Sequence, residues 1–345
     1  MKKPKLSICI PTYNRGKIVY SCVIELLQYS GDDIEVIVSN NASTDETNEL
    51  MLSICDNRLV YVSNTENLGP TRNFFITMEL VRSDFFYLIS DEDRLEVTNF
   101  PHFIDLITKH PSAAGVAGGR SHIGKDFTNI SKDFRIYKKG FDALDKFGFT
   151  HSTYMAPFIF NKNLIDFNYP FSKLYTLVEI GNNLCSEGDI ISTPQTLCYR
   201  GVETGVVDSE SIYLYDSVAF FEPNGRIDNL YRLNVCQLST YRLSKYEKFY
   251  FHIKIIVSLK RQISAYNKLD ASAFAYYKVK NNKKNLSPSE VNKKMYSISD
   301  PLLLSNNSFI VKQLIHTIER IIVKEYIKRP IRVDKCLRFL LRLND

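Results

Sequence analysis

Three consecutive carboxylates, Asp91-Glu92-Asp93, carry the most definite chemistry in this chain. Crowded acids repel one another unless a cation sits among them. Their hard oxygen donors favour Mg²⁺ or Mn²⁺, ions that bridge readily to phosphate. The plainer alternative is a solvated turn whose acids cap the segment that follows. Two other polar stretches offer hydrogen-bonding chemistry. Asn40 and Asn41 carry amides that can both donate to and accept from the edge of a base or ribose. Arg72, placed where a helix begins, has a charge that opposes the helix dipole. It suits an anionic ligand, or a salt bridge to one of the acids nearby.

These groups need strands that end where they begin. Phe85-Phe86-Tyr87-Leu88-Ile89 is too short for a helix and too apolar to lie exposed, so it reads as a central strand buried on both faces. The acids then fall just past its carboxyl end, where open α/β sheets keep their ligand crevice. Leu6 to Ile10 reads as a strand running into the turn-rich Pro11-Thr12-Tyr13-Asn14-Arg15-Gly16, and then a helix through Val19, Val23, Leu26 and Leu27. Ile34 to Ser39 is a second strand, followed by Asn40 to Thr47, in which Ser43 or Thr44 would cap a helix starting with Asp45 and Glu46. Leu59 to Ser63 is a third, leading through Asn64 to Asn73 into a helix with Phe74, Phe75, Met78 and Leu80. Strand and helix alternate over about 95 residues, which implies a mostly parallel sheet with helices on both faces. No G-x-G-x-x-G or P-loop pattern follows the first strand.

The order of these motifs resembles the nucleotide-sugar domain of family 2 glycosyltransferases, the GT-A fold. The resemblance is carried by Pro11-Thr12-Tyr13-Asn14-Arg15, Asn40-Asn41-Ala42-Ser43-Thr44-Asp45, Asn67-Leu68-Gly69 with Arg72-Asn73, and Asp91-Glu92-Asp93. It is firm over residues 5 to 120, looser to about 200, and absent beyond. It implies that Pro11, Thr12, Tyr13 and Arg15 surround the base and ribose of a nucleotide-sugar donor, a UDP-sugar first of all, with Asn67 and Arg72 on the same site. Asn40 stands where the family has an acid that reads uracil. The acid cluster resembles a D-x-D-type motif, which implies Mn²⁺ or Mg²⁺ on Asp91 and Asp93, with Glu92 as alternate and a neighbouring acid on the ribose. Inverting members use a carboxylate at the start of a later helix as general base. The family's Glu-Asp pair is absent, since Thr176-Leu177 occupies its place, and Glu179 is the nearest acid. An ordinary surface acid is the competing reading of Glu179. His151 goes to the acceptor rim.

Composition sets the remaining bounds. The 345 residues carry a net charge of +6. The charge is uneven: residues 245–345 hold 21 Lys and Arg against 8 acids, and the first 244 hold 23 against 30. Seven scattered cysteines without a Cys-x-x-Cys pair read as reduced thiols. No apolar run reaches the ~18 residues of a membrane span, and the first residues do not resemble a signal segment. A cytosolic chain is expected. From about residue 225 the pattern becomes helical and basic, clearest at 246–269, 311–328 and 335–343. The last two present an apolar face flanked by Lys and Arg, suited to the headgroup plane of an anionic membrane. The other reading is a helical subdomain packed on its own apolar face.

The expectation is thus a donor half (1–120) and an acceptor half (121–224), followed by a helical basic region (225–345). Its function would be metal-dependent, inverting sugar transfer to a lipid-linked glycan acceptor at the inner face of the membrane, with no nucleic-acid role. A non-catalytic nucleotide-sugar-binding partner subunit is the alternative. A nucleotidyltransferase would need a Gly-rich basic loop after the first strand, which Pro11 to Gly16 does not supply.

Overall fold

Leu6–Thr12 (β1), all but one of its residues buried, pairs in parallel with Ile34–Asn40 (β2) on one side and Phe85–Leu88 (β4) on the other. Leu59–Ser63 (β3) continues the sheet beyond β2. Such near-continuous apolar runs, Ile8, Cys9 and Ile10 or Val36, Ile37 and Val38, are what a strand covered on both faces requires. Gly16–Leu27 (α1), Thr47–Leu52 (α2) and Pro70–Glu79 (α3) are the crossovers. These 95 residues match the expected alternation, and the computed structural model describes residues 3–122, 125–128, 133–149, 158–169, 176–200 and 225–255.

Past β4 the sheet changes character. The short β5 (Arg94–Leu95) and helix α4 (Phe100–Lys109) lead to β6 (Gly115–His122), β7 (Lys125–Thr128) and β8 (Arg135–Tyr137). Helix α5 (Phe141–Phe147), β9 (Phe158–Asn161), α6 (Thr176–Glu187) and β10 (Ile190–Arg200) complete the first unit. The sheet order is β3-β2-β1-β4-β9-β6-β10-β5, with β7 on β6 and β8 on β10. The long ladders are parallel, β6 with β10 included. β9 lies antiparallel between β4 and β6. Phe86 faces Phe160 across that junction with ring centroids 5.5 Å apart. The small residues at the start of β6 serve this seam, because a side chain on Gly115 would meet the Ile159 carbonyl at 2.6 Å.

The amino ends of these strands are closed by a buried polar cluster. Glu35, 1 % exposed, accepts from Ser7 Oγ (2.5 Å), Arg82 N (2.9 Å) and Arg82 Nε (2.6 Å). A second unit spans residues 218–345. Its described part holds α7 (Gly225–Thr240) and a helical stretch over 245–255, with Leu230, Val235, Leu238 and Phe251 buried. No helix among the described residues is long and apolar enough to cross a membrane. The stretches expected at 311–328 and 335–343 lie outside the described residues.

Candidate functional site at the carboxyl ends of the parallel strands

Thr12 closes β1, Asn40 closes β2, Ser63 closes β3, and the acid turn begins three residues after the end of β4. Parallel pairing brings all four to one end of the sheet. Direct hydrogen bonds then lock the loops together. The Asn14 amide N–H donates to Ser43 Oγ at 2.8 Å, and Thr44 N donates to Asn14 Oδ1 at 2.8 Å. Asn14 and Ala42 both sit in the left-handed region, φ 52° and 60°, which non-glycine residues hold only when their surroundings fix them. Ser43 and Thr44 thus tie one loop to another and do not cap α2. Asp45 takes a bridging role. It accepts from Thr47 N (3.1 Å), from the Thr47 hydroxyl, and from Gly16 N at the start of α1 (2.9 Å). Burial alone would raise the Asp45 carboxyl, but these hydrogen bonds outweigh it and hold it below the usual range. A side chain at Gly16 would press on Thr47 N at 2.8 Å, so glycine lets α1 and α2 meet here.

An amide network continues along the same rim. Asn41 donates to Asn67 Oδ1 (2.7 Å) and accepts from Leu68 N (3.0 Å) and Asn64 Nδ2 (3.1 Å). Asn67 also accepts from Gly69 N at 2.9 Å, where φ is 80°. Asn73 clasps β2 through Ser39, accepting from its hydroxyl (2.6 Å) and donating to its carbonyl (2.9 Å). Asn40, 1 % exposed, donates to Tyr61 Oη (2.9 Å) and Ser63 Oγ (3.3 Å) and accepts from Ser43 N (2.9 Å). In this arrangement Asn40 spends its amide on the loop and not on an incoming base. Asn67 is a loop former in the same way, whereas Pro11 and Tyr13 are half-buried at the rim.

The acid turn is held by two arginines. Arg15 Nη1 donates to Asp91 Oδ1 at 3.0 Å and to Glu92 Oε2 at 3.1 Å, while Thr12 Oγ1 donates to Asp91 Oδ2 at 2.7 Å. Burial pushes the Asp91 carboxyl above its ordinary value, offset in part by Arg15 and Thr12. Arg94 holds the backbone beneath, donating to the Asp91 and Asp93 carbonyls at 3.1 and 2.9 Å and pairing with Glu25 of α1 at 3.1 Å. The Cys22 thiol, pushed up to about 12 by burial, points at the same Asp93 carbonyl at 3.6 Å. Asp93 is itself buried, at 7 % exposure.

A divalent ion expected on Asp91 and Asp93 does not fit this arrangement. Both Asp91 oxygens have protein donors, and Glu92 shares the guanidinium with it. Among the described residues no three His, Cys, Asp or Glu side chains converge as a ligand set. Arg72 takes the salt-bridge alternative, 3.1 Å from Glu79 with both side chains more than half exposed. Glu179 is no surface acid, being 4 % exposed on α6. The last turn of α6 is anchored beside the amino ends of β6 and β10, where Ala114 N donates to Asp189 O (2.8 Å). Eight residues, ~12 Å of helix, separate Glu179 from Glu187 at that end. His151 lies outside the described residues.

Sequence reasoning missed Arg94, Asp45 and the joint role of Asn14, Asn64 and Asn73. The signal for Arg94 was a basic residue abutting three acids. The density of asparagine between residues 40 and 73 was the signal for the amide network.

Residues 7–164 match the sequence model described as Glycosyl transferase family 2. The abequosyltransferase RfbV of Salmonella typhimurium is 36% identical over 96 residues, covering 26% of this chain and 28% of that protein. The GalNAc(5)-diNAcBac-PP-undecaprenol beta-1,3-glucosyltransferase of Campylobacter jejuni is 25% identical over 146 residues, 40% of this chain and 47% of that one. The chain thus spans between about a quarter and a half of these relatives. Among solved structures, S. aureus TarS 1-349 in complex with UDP-GlcNAc superposes with a TM-score of 0.63 at 15% identity, covering 94% of this chain and 92% of that one. That likeness shows the shared GT-A fold.

Proposed function

We propose, for a chain whose residues 7–164 match the glycosyl transferase family 2 model, that it transfers a sugar from a nucleoside diphosphate donor to a hydroxyl of a glycan in bacterial surface polysaccharide synthesis. The observation that carries this reading is the convergence of four loops at one end of the parallel strands, cross-tied through Asn14–Ser43, Asp45–Gly16, Asn41–Asn67 and Arg15–Asp91. A rim of fixed amides and backbone groups, backed by a cationic side chain, suits a ligand that combines a planar base with a diphosphate. In the reaction the acceptor oxygen forms a bond to C1 of the sugar as the bond from C1 to the diphosphate oxygen breaks. Glu179 takes the acceptor's proton, and the configuration at C1 inverts. Negative charge grows on the departing diphosphate, and Arg15, which pairs with the Asp91 and Glu92 carboxylates of the acid turn, is the cation to meet it.

The donor is a UDP-sugar in this proposal, supported by the UDP-GlcNAc bound in the TarS structure. A lipid-linked acceptor is supported by the undecaprenol diphosphate in the name of the Campylobacter jejuni relative. The basic charge of residues 245–345 supports contact with an anionic membrane surface on its inner face. A second reading, a non-catalytic nucleotide-sugar-binding partner subunit, is favoured by Thr176-Leu177 in place of an acidic pair and by the internal engagement of Asn40.

Titration of the purified chain with UDP, CDP and GDP, followed by donor hydrolysis, tests the proposal. Saturable nucleoside diphosphate binding with slow UDP-sugar hydrolysis is expected. Binding without hydrolysis would transfer support to the partner-subunit reading, and no binding of any nucleotide would overturn both.

A further inference from the structure

The misfit between the acid turn and the ion expected there has a specific cause. We infer that Arg15 is the resident counter-cation of the Asp91-Glu92 pair, excluding divalent metal from it until an anionic diphosphate draws the guanidinium away. The diphosphate half of this inference rests on the function proposed above; the exclusion half does not.

One nitrogen does the bridging. Arg15 Nη1 lies 3.0 Å from Asp91 Oδ1 and 3.1 Å from Glu92 Oε2, so it fills the position between two carboxylates that a bridging ion would need. Mg²⁺ binds carboxylate oxygens at about 2.0–2.1 Å. An ion shared by these two oxygens would therefore press against a fixed positive charge. Thr12 holds the second Asp91 oxygen at 2.7 Å, which keeps the carboxylate from rotating toward another partner. The charge balance points the same way. Arg94 adds a second cation beneath the turn, bonded to the Asp91 and Asp93 carbonyls. Two of the three acids thus already share one guanidinium, and part of the demand for a divalent ion that the bare acids implied is met by Arg15.

Arg15 is nevertheless placed to leave. It precedes α1 as its N-cap residue, with non-helical backbone, φ −140° and ψ 41°, and 29% of its side chain is exposed. A guanidinium donates to phosphate oxygens in the same forked geometry as to carboxylates. A diphosphate reaching this rim would offer Arg15 a new partner and release Asp91 and Glu92. Metal and nucleotide affinities would then be coupled, and by linkage each would raise the other by the same factor.

The test is Mn²⁺ binding to the full chain, followed by the loss of free-ion electron paramagnetic resonance signal, without nucleotide and with UDP as the diphosphate probe. Without UDP, Arg15→Gln is expected to bind Mn²⁺ at least tenfold more tightly than the unaltered chain, and adding Asp91→Asn should reverse the gain. In the unaltered chain, UDP should raise Mn²⁺ affinity at least tenfold, a comparison that stands even if Arg15→Gln fails to fold. A folded Arg15→Gln chain with no gain, or an unaltered chain that loads Mn²⁺ equally with and without UDP, would overturn the inference. Failure of UDP to bind would count against the proposed function, leaving the metal-only comparison to decide the role of Arg15.

Discussion

β1 carries a buried carboxylate cluster at each of its ends. At the amino end Glu35 is held by the Ser7 hydroxyl and Arg82; at the carboxyl end Asp91 is held by the Thr12 hydroxyl and Arg15. Both acids are at most 4 % exposed. The chemistry is the same, and the surroundings are not. Glu35 also accepts the Arg82 backbone N–H, a donor that cannot leave without unfolding the turn. Arg15 is divided between a buried acid and the half-exposed Glu92, and four cross-tied loops stand around it. A buried acid–arginine pair is therefore not a site in itself. It staples where a backbone N–H is among its donors, although the Arg82 side chain is itself 45% exposed, and it can respond to a ligand where its cation is shared with a second carboxylate.

The sharpest way to break this comparison is to remove both acids separately. Glu35→Ala leaves Ser7 Oγ and Arg82 N without their acceptor and should cost about 3 kcal/mol, read as a fall in Tm, with UDP affinity retained in the folded fraction. Asp91→Asn should leave the fold largely intact, at a cost of about 1–2 kcal/mol, while the gain in UDP affinity that Mn²⁺ confers is lost. Equal effects of the two on UDP affinity would erase the distinction.

A smaller effect is expected at Asp45, which ties α1 to α2. Asp45→Ala should destabilise by about 1 kcal/mol, as a lost helix cap does, measured by urea unfolding. The pH dependence has a definite sign. Because the folded carboxyl lies below its ordinary value, its contribution is present above about pH 4 and fades as pH falls through the lower folded value. The gap between the unaltered chain and the variant should therefore narrow in acid. A constant gap from pH 7 to pH 3 would contradict the assignment of that stability to the charged form. The smallest effect belongs to Arg72, whose exposed pair with Glu79 predicts a change within about 0.5 kcal/mol for Arg72→Ala and no change in UDP affinity.

The same comparison shows what was legible in the sequence. The strands of the first 95 residues were readable because burial on both faces leaves unbroken apolar runs, and the acid turn because it breaks one. Loop identity was readable too, since Pro11 to Gly16 and Asn40 to Asp45 are punctuated by turn formers. Pairings between loops were not. Ser43 and Thr44 satisfy every local rule for a helix cap, yet their partner is Asn14, 29 and 30 residues earlier. Arg15 was legible as a ligand-facing residue, whereas its bond to Asp91 spans 76 positions and exists only once β1 and β4 lie side by side. Glu35 gave no signal as a staple, because an acid inside an apolar strand discloses its partners only in three dimensions. The antiparallel insertion of β9 between β4 and β6 was hidden for the same reason.

The carboxyl end of the parallel strands is the ligand end in the function proposed above. Hydrogen exchange with and without UDP tests this directly. Slowed exchange is predicted at residues 11–16, 40–45, 64–69 and 91–94, with residues 33–35 and 81–84 at the opposite end unchanged. Protection confined to that opposite end, or absent from all four loops while UDP is bound, would contradict it.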